Sequence, residues 1–395
     1  MTDQSLRLAP HYSRFGVAER LLLTGHSHQA WPDVARLGQL EAFDDAARHV
    51  DDKWAAALAK AEQVRAGFRR FLGDPDAHLA LGANTHELVL RFLSALDLRA
   101  RPRLVTSDGE FHTLRRQLGR LAEEGLEVVV VSAEPAATLA ERLSGAVDDR
   151  TAAVLVSAVL FETAHIVPCL DGLAAACARR GCELLVDVYH ALGAVPFEPA
   201  GLESAWLVGG GYKYLQLGEG NCFLRLPPHA LGSRPVITGW FAEFDLLAAE
   251  HGNGATGYPA GSGRFAGATY DPTSHYRATR VLEFFADHGL TPDYLRQVSL
   301  RQVGLLADLF DALDVPASVI ARIPGARPEF GGFLALRTPY AARLRAELAA
   351  RGVQCDSRGP YLRLGPAPYV SDTQLADAIG LLGAALPAPA GTGAA

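Results

Sequence analysis

The chain has 395 residues, 49% of them hydrophobic, and a formal net charge of −7. This length accommodates one large domain and a smaller one, and the mild, dispersed charge excludes the basic stripe typical of nucleic-acid binding. No apolar run is long enough to span a bilayer, and no charged-then-apolar leader opens the chain, so a soluble, cytoplasmic protein is expected. The five cysteines lack the CxxC spacing of a zinc site and are expected to be reduced thiols.

The first predicted element is a short strand that turns into a loop over residues 21–32. This segment contains His26 and His28, whose HxH spacing could serve a metal. Because no partner motif accompanies the pair, the more common arrangement is a loop whose histidines are satisfied locally. A helix is predicted from about residue 32 through residue 71, where alanine, leucine and charged residues repeat with amphipathic spacing.

A strand, a tight glycine turn and a helix start are predicted over residues 79–89. Backbone N–H groups at a helix N-terminus form an anion site that the helix dipole strengthens, and Asn84 and Thr85 lie where a phosphate would dock. Asn84 is equally typical of a helix N-cap. The segment alone therefore predicts a capped helix, and phosphate binding only in combination with the residues described next.

The middle of the chain alternates apolar strands with helical stretches. The expected strands are 103–107, 126–132, 152–161 and 183–187, and the helices between them end near residues 124, 146 and 180. This alternation predicts an α/β fold with a mainly parallel sheet and helices on both faces. Ligands of such sheets gather at the carboxyl ends of the strands, where Asn84 and Asp187 lie.

One of the three lysines has an unusual setting. Lys53 and Lys60 fall on the expected exposed face of the first helix. Lys213 instead follows the apolar run 205–208, three glycines and Tyr212. Arginine can replace lysine as a charge, but only lysine can lose a proton readily and attack a carbonyl. Lys213 is therefore a candidate Schiff-base lysine, with a surface loop lysine as the alternative.

A carboxylate stands at the end of the strand that precedes this loop by one further strand. Asp187 closes the apolar run 183–187, and His190 follows three residues later. Pyridoxal phosphate needs a carboxylate that keeps its pyridine nitrogen protonated, so that the ring can accept electrons. The order strand, aspartate, strand, lysine places both groups against one ring. The sequence thus predicts a pyridoxal-phosphate site centred on Asp187 and Lys213.

Two motifs carry a family resemblance, Asp187-Val-Tyr-His190 and Gly211-Tyr-Lys-Tyr-Leu215. They resemble the fold-type I pyridoxal-phosphate enzymes of the class V aminotransferase group, and most of all kynureninase and its relatives. The resemblance extends thinly from about residue 21 to about residue 382. It implies a large domain, with a seven-stranded, mainly parallel sheet between helices, and a small α+β C-terminal domain. The expected divisions are an N-terminal arm (1–30), the large cofactor-binding domain (31–270), the small domain (271–386) and a disordered tail (387–395).

The resemblance also assigns cofactor contacts. Phe111, with His112 as the alternative, would stack on the cofactor ring, and a core phenylalanine is the competing interpretation. The strand end at residues 161–165 would face the cofactor hydroxyl. His190 would contact the cofactor, and Tyr212 would serve as a proton relay or a phosphate ligand.

A shared active site is a further implication. Trp240 would reach the phosphate through its indole N–H. Residues 252–267 form a glycine-rich stretch that is expected to be a mobile active-site loop, and Thr269 beyond it would complete the phosphate site of a neighbouring subunit. The implied assembly is a homodimer.

The C-terminal part is predicted to begin with two amphipathic helices over residues 276–313, after an antiparallel strand at 221–226 that finishes the large sheet. A strand (331–338) and a helix (340–351) lead to the segment 353–366, and Ser371 or Asp372 caps a last helix.

Substrate contacts come from both ends of the chain. The guanidinium of Arg363 suits a substrate carboxylate, and the spacing Cys-Asp-x-Arg…Arg-x-x-Pro resembles that of kynureninase, whose corresponding arginine binds the amino-acid α-carboxylate. An exposed strand arginine is the alternative. By the same resemblance, Ser27 and His28 are candidates for touching the substrate.

The reaction is less constrained than the cofactor. The resemblance favours hydrolytic or eliminative cleavage on the side-chain side of Cα, releasing alanine or a similar small amino acid. The alternatives are an aminotransferase, a cysteine desulfurase or C–S lyase with Cys355 as sulfur acceptor, and a non-enzymatic cofactor-binding regulator. The segments Gly239-Trp-Phe-Ala-Glu and Ala268-Thr-Tyr-Asp depart from the family pattern, which indicates a substrate other than kynurenine.

Overall fold

The computed structural model describes residues 4–246 and 256–387. Parts of two predicted segments, the mobile loop at 252–255 and the tail from 388 onward, lie outside the described residues. The strands are β1 (Leu21–Leu22), β2 (His78–Gly82), β3 (Arg103–Ser107), β4 (Glu127–Val131), β5 (Thr151–Ser157), β6 (Glu183–Asp187), β7 (Trp206–Gly210), β8 (Cys222–Leu226), β9 (Ala321–Arg322), β10 (Leu334–Arg337), β11 (Val353–Gln354), β12 (Asp356–Arg358) and β13 (Tyr361–Leu364).

The helices within the described ranges are α1 (Gln4–Leu8), α2 (Val34–His49), α3 (Lys53–Leu72), α4 (Thr85–Ser94), α5 (His112–Glu123), α6 (Leu139–Gly145), α7 (Leu170–Arg179), α8 (Thr273–Asp287), α9 (Pro292–Asp311), α10 (Ala341–Ala350) and α11 (Asp372–Ala385). Ser371 caps α11 and forms a capping box with Gln374, so the first of the two predicted caps is the one used. No helix of the described part of the chain has the length and apolarity needed to cross a bilayer.

The large sheet has seven strands in the order β2-β8-β7-β6-β5-β3-β4. The strands from β4 to β7 pair in parallel, whereas β8 is antiparallel to both of its neighbours. The predicted seven-stranded, mainly parallel sheet is confirmed. The antiparallel strand predicted at 221–226 is present as β8, but it lies between β7 and β2 and does not form the edge of the sheet. Every residue of β5 is buried, as expected for a central strand covered on both faces.

The single helix predicted over residues 32–71 is wrong, because the chain forms α2 and α3 with a break at Val50. Val50 has a φ of 48°, a left-handed conformation that ends α2. Neither glycine nor proline marks the break, so the amphipathic pattern continues across it. Lys60 is also less exposed than predicted, since its Nζ lies 2.7 Å from Glu41 and its side chain is only 16% exposed.

The C-terminal part contains a second, four-stranded sheet in the order β12-β13-β10-β9, with antiparallel pairing throughout. The N-terminal arm is attached to this part: β1 pairs in parallel with β11, and Thr24 forms a bridge with Gly365. The segment that carries His26 and His28 therefore runs from the small sheet toward the end of the large one.

Candidate active site

The site lies at the carboxyl end of the large sheet, in a cavity of about 260 Å³. The structure brings seven of the predicted cofactor residues to its wall: Asn84, Thr85, Phe111, Asp187, His190, Tyr212 and Lys213. They come from loops and helix starts that follow β2, β3, β6 and β7, as expected for a parallel sheet. Residues that are remote in sequence thus share one pocket.

Lys213 is buried inside this cavity, and its Nζ lies 2.6 Å from Nε2 of His190. The pKa of Lys213 is lowered to about 7, chiefly by burial; the charge of Asp187 acts to raise it, and that of Arg363 contributes to the lowering. Three aromatic rings surround the amine, with centroids 4.8 Å (Tyr189), 5.5 Å (Phe111) and 5.8 Å (Tyr212) from Nζ. The amine is therefore held close to its neutral, nucleophilic form at neutral pH.

Asp187 lies at the end of β6 and is half-buried in the wall of the cavity. Its carboxylate accepts a hydrogen bond of 2.8 Å from the backbone N–H of Tyr189. Burial raises the pKa of Asp187, against this hydrogen bond and the charge of Lys213. Gly210 at the end of β7 leaves room for the Tyr189 ring, because a Cβ there would overlap the phenol oxygen. The side chain of Tyr189 itself was not predicted as part of the site.

Asn84 caps the N-terminus of α4 and also lines the cavity. The Asn84 side chain accepts a hydrogen bond of 3.0 Å from the Glu87 N–H and donates one of 3.1 Å to the Glu87 carboxylate. Asn84 thus performs the capping role that was the alternative to phosphate binding, while Thr85 and the first turn of α4 face the cavity.

Of the two candidates for a stacking ring, Phe111 lines the cavity and His112 is not among the lining residues. The Phe111 ring meets Phe161 edge-on at 5.5 Å, and the ring of His112 lies 5.3 Å from Phe161. Phe161 lines the cavity too, which brings the start of the predicted segment 161–165 to the site. Phe111 and Phe161 form one aromatic wall.

Glu110 supports this wall and was not recognised as a site residue from the sequence. Its buried carboxylate accepts hydrogen bonds from the hydroxyls of Ser107 and Ser157, each of 2.6 Å, and from the Ser157 N–H at 3.2 Å. Burial raises the pKa of Glu110 to about 7 despite these bonds. The carboxylate ties the ends of β3 and β5 together directly before Phe111. No local sequence signal marks Glu110, because its role depends on β3 and β5 being neighbours in the sheet.

Arg363 on β13 is buried, not the exposed strand arginine of the alternative interpretation. Its Nε donates to Asp356 at 2.7 Å, its Nη2 to the second oxygen of the same carboxylate, and its Nη1 to the carbonyl of Phe161. Arg363 therefore joins the small sheet to the aromatic wall, although it does not line the cavity itself.

His26 completes this buried group, since its Nε2 lies 2.8 Å from Asp356. Burial lowers the pKa of His26 to about 4, so the ring is neutral at neutral pH. Burial opposes the ionisation of Asp356, but the hydrogen bonds from His26 and Arg363 hold its pKa well below the usual range. From the sequence, His26 was predicted only as one of a pair of loop histidines, and its contact with Asp356 was not predicted.

Ser27 and His28 do not line the cavity, but His28 contacts two residues of its wall, Tyr212 and Glu219. The His28 ring stacks on Tyr212, with centroids 4.8 Å apart and an interplanar angle of 22°. The Ser27 hydroxyl is 3.1 Å from Nδ1 of His28, and Glu219 is 3.5 Å from Nε2. The candidate substrate residues of the arm are thus brought beside the candidate lysine loop.

The predicted phosphate ligands Trp240 and Thr269, and Cys355, the sulfur acceptor of one alternative reaction, lie outside the cavity. The Trp240 indole N–H donates to the Thr269 hydroxyl at 3.1 Å, and neither residue lines the cavity of its own chain. Cys355 is buried in the hydrophobic core, where burial raises the pKa of its thiol to about 12. A buried, protonated thiol away from the cavity does not suit a sulfur acceptor.

The buried ion pair gives a stability prediction. In Asp356→Asn, Arg363 keeps its charge in the interior without a compensating carboxylate, and we expect the free energy of unfolding to fall by about 3 kcal/mol. The matched control is Asp311→Asn, which removes an exposed bidentate pair with Arg322 and is expected to cost under about 1 kcal/mol. Urea denaturation followed by circular dichroism measures both, and equal midpoint shifts would contradict the expectation.

Comparisons with known proteins agree with this architecture. A solved structure described as a C-DES mutant with glycine covalently linked to its pyridoxal-phosphate cofactor superposes with a TM-score of 0.82 over 95% of this chain and 98% of that one, at 16% identity. The fold is therefore that of the fold-type I pyridoxal-phosphate enzymes, as predicted.

In sequence, the chain is similar to kynureninase. The enzyme from Pseudomonas fluorescens is 26% identical over 405 residues, which cover 96% of this chain and 93% of the relative. An isopenicillin N epimerase from Streptomyces clavuligerus is 28% identical over 347 residues, covering 81% and 84%. No family model matches the chain. The chain is thus similar to kynureninase over nearly its whole length, as the motif around Asp187 and the motif around Lys213 indicated.

Proposed function

We propose that this protein is a pyridoxal-phosphate-dependent enzyme that acts on an amino acid, with Lys213 as the lysine that binds the cofactor. The observation that carries the proposal is a buried amine, with a pKa lowered to about 7, in a cavity that also holds the Asp187 carboxylate and a helix N-terminus. The nitrogen of His190 that is directed away from Lys213, Nδ1, is buried without a partner among the described residues, so the cavity retains an unsatisfied polar atom.

The residues present fit this cofactor. Asp187 would hold the pyridine nitrogen, Phe111 would cover the ring, and the start of α4 at Thr85 would take the phosphate. When bound, the cofactor supplies an electron sink for the carbanion at the substrate Cα. Lys213 would take and return the Cα proton, a role that its pKa of about 7 supports.

Arg363 would orient the substrate. Asp356 accepts from Nε and Nη2 and the Phe161 carbonyl accepts from Nη1, so all three nitrogens of the guanidinium are engaged and its plane is fixed. A guanidinium has five N–H donors, so donors remain for a substrate carboxylate after these contacts. Phe111 and Phe161 would limit water at the reacting carbon. Tyr212, which carries the stacked His28, would relay protons or bind phosphate at the mouth.

For the reaction, we propose kynureninase-like cleavage of the substrate side chain at Cβ, hydrolytic or eliminative, with release of a small amino acid such as alanine. The sequence similarity to kynureninase over nearly the whole chain supports this choice. C–S cleavage is the second candidate, because a solved structure of similar fold is a complex of the cystine C–S lyase C-DES with cysteine persulfide. The burial of Cys355 disfavours a desulfurase that passes sulfur to that residue. An aminotransferase is the third candidate.

One experiment separates these reactions. The cofactor-loaded protein is incubated with a panel of amino acids, including kynurenines, cysteine and cystine, without any keto acid, and products are followed by mass spectrometry. Catalytic release of alanine from a kynurenine supports Cβ cleavage, whereas release of alanine from cysteine, with the sulfur left as a persulfide, supports a desulfurase. Release of pyruvate and sulfide or persulfide supports C–S cleavage, and one equivalent of keto acid with pyridoxamine phosphate left in the site supports an aminotransferase. No conversion and no cofactor uptake would contradict the proposed function.

The pKa of Lys213 gives a pH prediction for cofactor uptake. Only the neutral amine attacks the aldehyde. Below the lowered pKa of about 7 the neutral fraction falls about tenfold per pH unit. We therefore expect the rate of pyridoxal-phosphate capture by the apoprotein to rise up to about pH 7 and then level off. Stopped-flow absorbance measures this rate. The control is a model peptide whose lysine has an ordinary pKa, so its rate of capture should keep rising above pH 7. A protein whose rate also keeps rising above pH 7 would contradict the prediction.

We propose further that the enzyme is a homodimer. Helix α2 exposes Leu37, Leu40 and Phe43 to solvent, and Phe43 is 71% exposed. Large apolar side chains clustered on one helix are typical of a protein–protein interface. We assign this apolar surface to a second copy of the chain, because a dimer also accounts for the position of Trp240 and Thr269. These two residues lie outside the cavity of their own chain and would complete the phosphate site of the other subunit across the interface.

The dimer prediction is tested on α2. A charge in an apolar interface is strongly unfavourable, so Phe43→Asp is expected to convert the dimer to monomer in sedimentation velocity. The control is Val130→Asp, which places the same charge at another exposed apolar residue, on the edge strand β4. A monomeric parent protein, or a variant that sediments unchanged, would contradict the assignment.

A further inference from the structure

Two cysteines meet where α7 ends and β6 begins. The backbone N–H of Cys182 donates to the carbonyl of Cys177 at 3.0 Å, and that of Gly181 to the carbonyl of Ala178 at 3.1 Å. Gly181 has a φ of 59°, the left-handed conformation that glycine adopts readily. These bonds define a Schellman helix terminus, in which the side chains at the positions of Cys177 and Cys182 pack against each other.

Both side chains are free thiols at the wall of a second cavity. This cavity has a volume of about 210 Å³ and shares no lining residue with the cavity of Lys213. Glu183, Ser204 and His229 also line it, and His229 lies 3.0 Å from the Glu183 carboxylate. A small polar molecule can therefore enter beside the two sulfur atoms.

The two thiols are not equivalent. Cys182 is 6% exposed, whereas Cys177 is 1% exposed. The hydrogen bond between the two thiols and the burial of Cys177 raise the pKa of Cys177 well above its usual range. Cys177 thus keeps its proton, and Cys182, whose thiol donates a hydrogen bond of 3.4 Å to the Glu183 carbonyl, is the more exposed of the two residues and the first to react once it loses its proton.

We propose that Cys177 and Cys182 form a dithiol modification site, which takes a small-molecule disulfide and closes to an intramolecular disulfide. The Cys182 thiolate attacks one sulfur of the small disulfide, and the first half leaves as a thiol. The Cys177 sulfur then loses its proton and attacks Cys182, and the second half leaves as a thiol. The protein dithiol is oxidised by two electrons and the small disulfide is reduced by two. The helix terminus already holds the two residues in side-chain contact, so the bond needs little backbone movement.

The competing explanation is a purely structural contact, since a buried cysteine also packs as a small apolar side chain. The two explanations differ in chemistry. A structural pair stays reduced in the folded protein, whereas a dithiol site is oxidised by a disulfide without unfolding. Oxidised glutathione is the probe, applied to the cofactor-loaded, full-length protein in a Cys169→Ser background, because Cys169 is exposed and would react independently.

The protein is then alkylated, digested with trypsin and examined by mass spectrometry. Trypsin cleaves after Arg179 and Arg180, between the two cysteines. The expected disulfide therefore joins two peptides, which separate on reduction. The oxidised protein is lighter than the parent by the mass of two hydrogen atoms. Reduced, alkylated Cys177 and Cys182 after prolonged exposure would overturn the proposal, provided that Cys169 of the parent protein is modified under the same conditions.

Single variants test the order of attack. In Cys177→Ser, Cys182 is expected to retain glutathione as a mixed disulfide, since no second thiol resolves it. In Cys182→Ser, Cys177 is expected to stay free. Glutathione on Cys177 in that variant would overturn the assigned roles. Circular dichroism of each variant checks folding. The parent's activity toward the amino-acid panel is a separate measurement, so failure of this proposal leaves the proposed enzymatic function untouched.

Discussion

Replacing Lys213 with alanine is expected to remove both the visible absorbance of the bound cofactor and the catalytic activity. Alanine can neither bond covalently to the aldehyde nor carry the Cα proton. The loss of a nucleophile that is also the acid–base group is expected to lower kcat by roughly 10⁴-fold or more. Absorbance spectroscopy of the variant mixed with pyridoxal phosphate, and turnover of whichever substrate the panel identifies, measure the two losses.

The matched control is Lys53→Ala, which removes a half-buried lysine at the start of α3, away from the cavity. It should keep both the absorbance and the turnover of the parent. A Lys213→Ala protein with full activity would show that the amine in the cavity is not the catalytic group, and the proposed function would fall with it. Retained absorbance with no turnover would point to non-covalent binding of the cofactor.

Arg363→Lys is expected to raise KM for the amino-acid substrate by about 100-fold, with a smaller effect on kcat. The guanidinium meets Asp356 through two nitrogens and the Phe161 carbonyl through a third. An ammonium on one atom cannot make these contacts and also hold a carboxylate in a fixed plane. The loss of a buried charge-assisted contact is worth about 3 kcal/mol. Because the carboxylate is held equally in ground and transition states, the loss falls mainly on KM.

The control for this variant is Arg358→Lys. Arg358 is also near Asp356, but at 3.7 Å and with a half-buried side chain. Its replacement is expected to change KM by less than about threefold. Steady-state kinetics of both variants, together with the cofactor spectrum, make the comparison. If Arg363→Lys keeps the parent KM, the substrate carboxylate binds elsewhere and the assignment from the family resemblance is wrong.

The large sheet and the centre of the site could be predicted because they depend on local signals. Apolar runs separated by helical stretches define parallel strands, and the carboxyl ends of such strands meet at one edge. Lys213 and Asp187 each follow an apolar strand, so their meeting in one cavity needed only the strand order. The position of β8 inside the sheet was not predicted, because an antiparallel strand can lie at the edge or in the interior of a sheet with the same sequence pattern.

The remaining contacts depend on distant partners that no local pattern reveals. His26 and Asp356 are 330 positions apart, and their contact exists because β1 pairs with β11. Glu110 is recognisable as a site residue only once β3 and β5 are neighbours. The break between α2 and α3 was missed because Val50, in a left-handed conformation, carries no glycine or proline signal.

The attachment of β1 to β11 has a mechanical consequence. The arm is fastened to the C-terminal part by the pairing of β1 with β11, which form a two-stranded sheet of their own, and by the contact of His26 with Asp356 on β12 of the small sheet. Two residues later, the same arm lays His28 on Tyr212, next to the lysine of the large sheet. The arm therefore connects the C-terminal part of the chain to the wall of the cavity. Any shift of the small sheet relative to the large one would move His28 across the ring of Tyr212 and change the width of the cavity entrance. The entry of the substrate and the position of Arg363 would therefore change together.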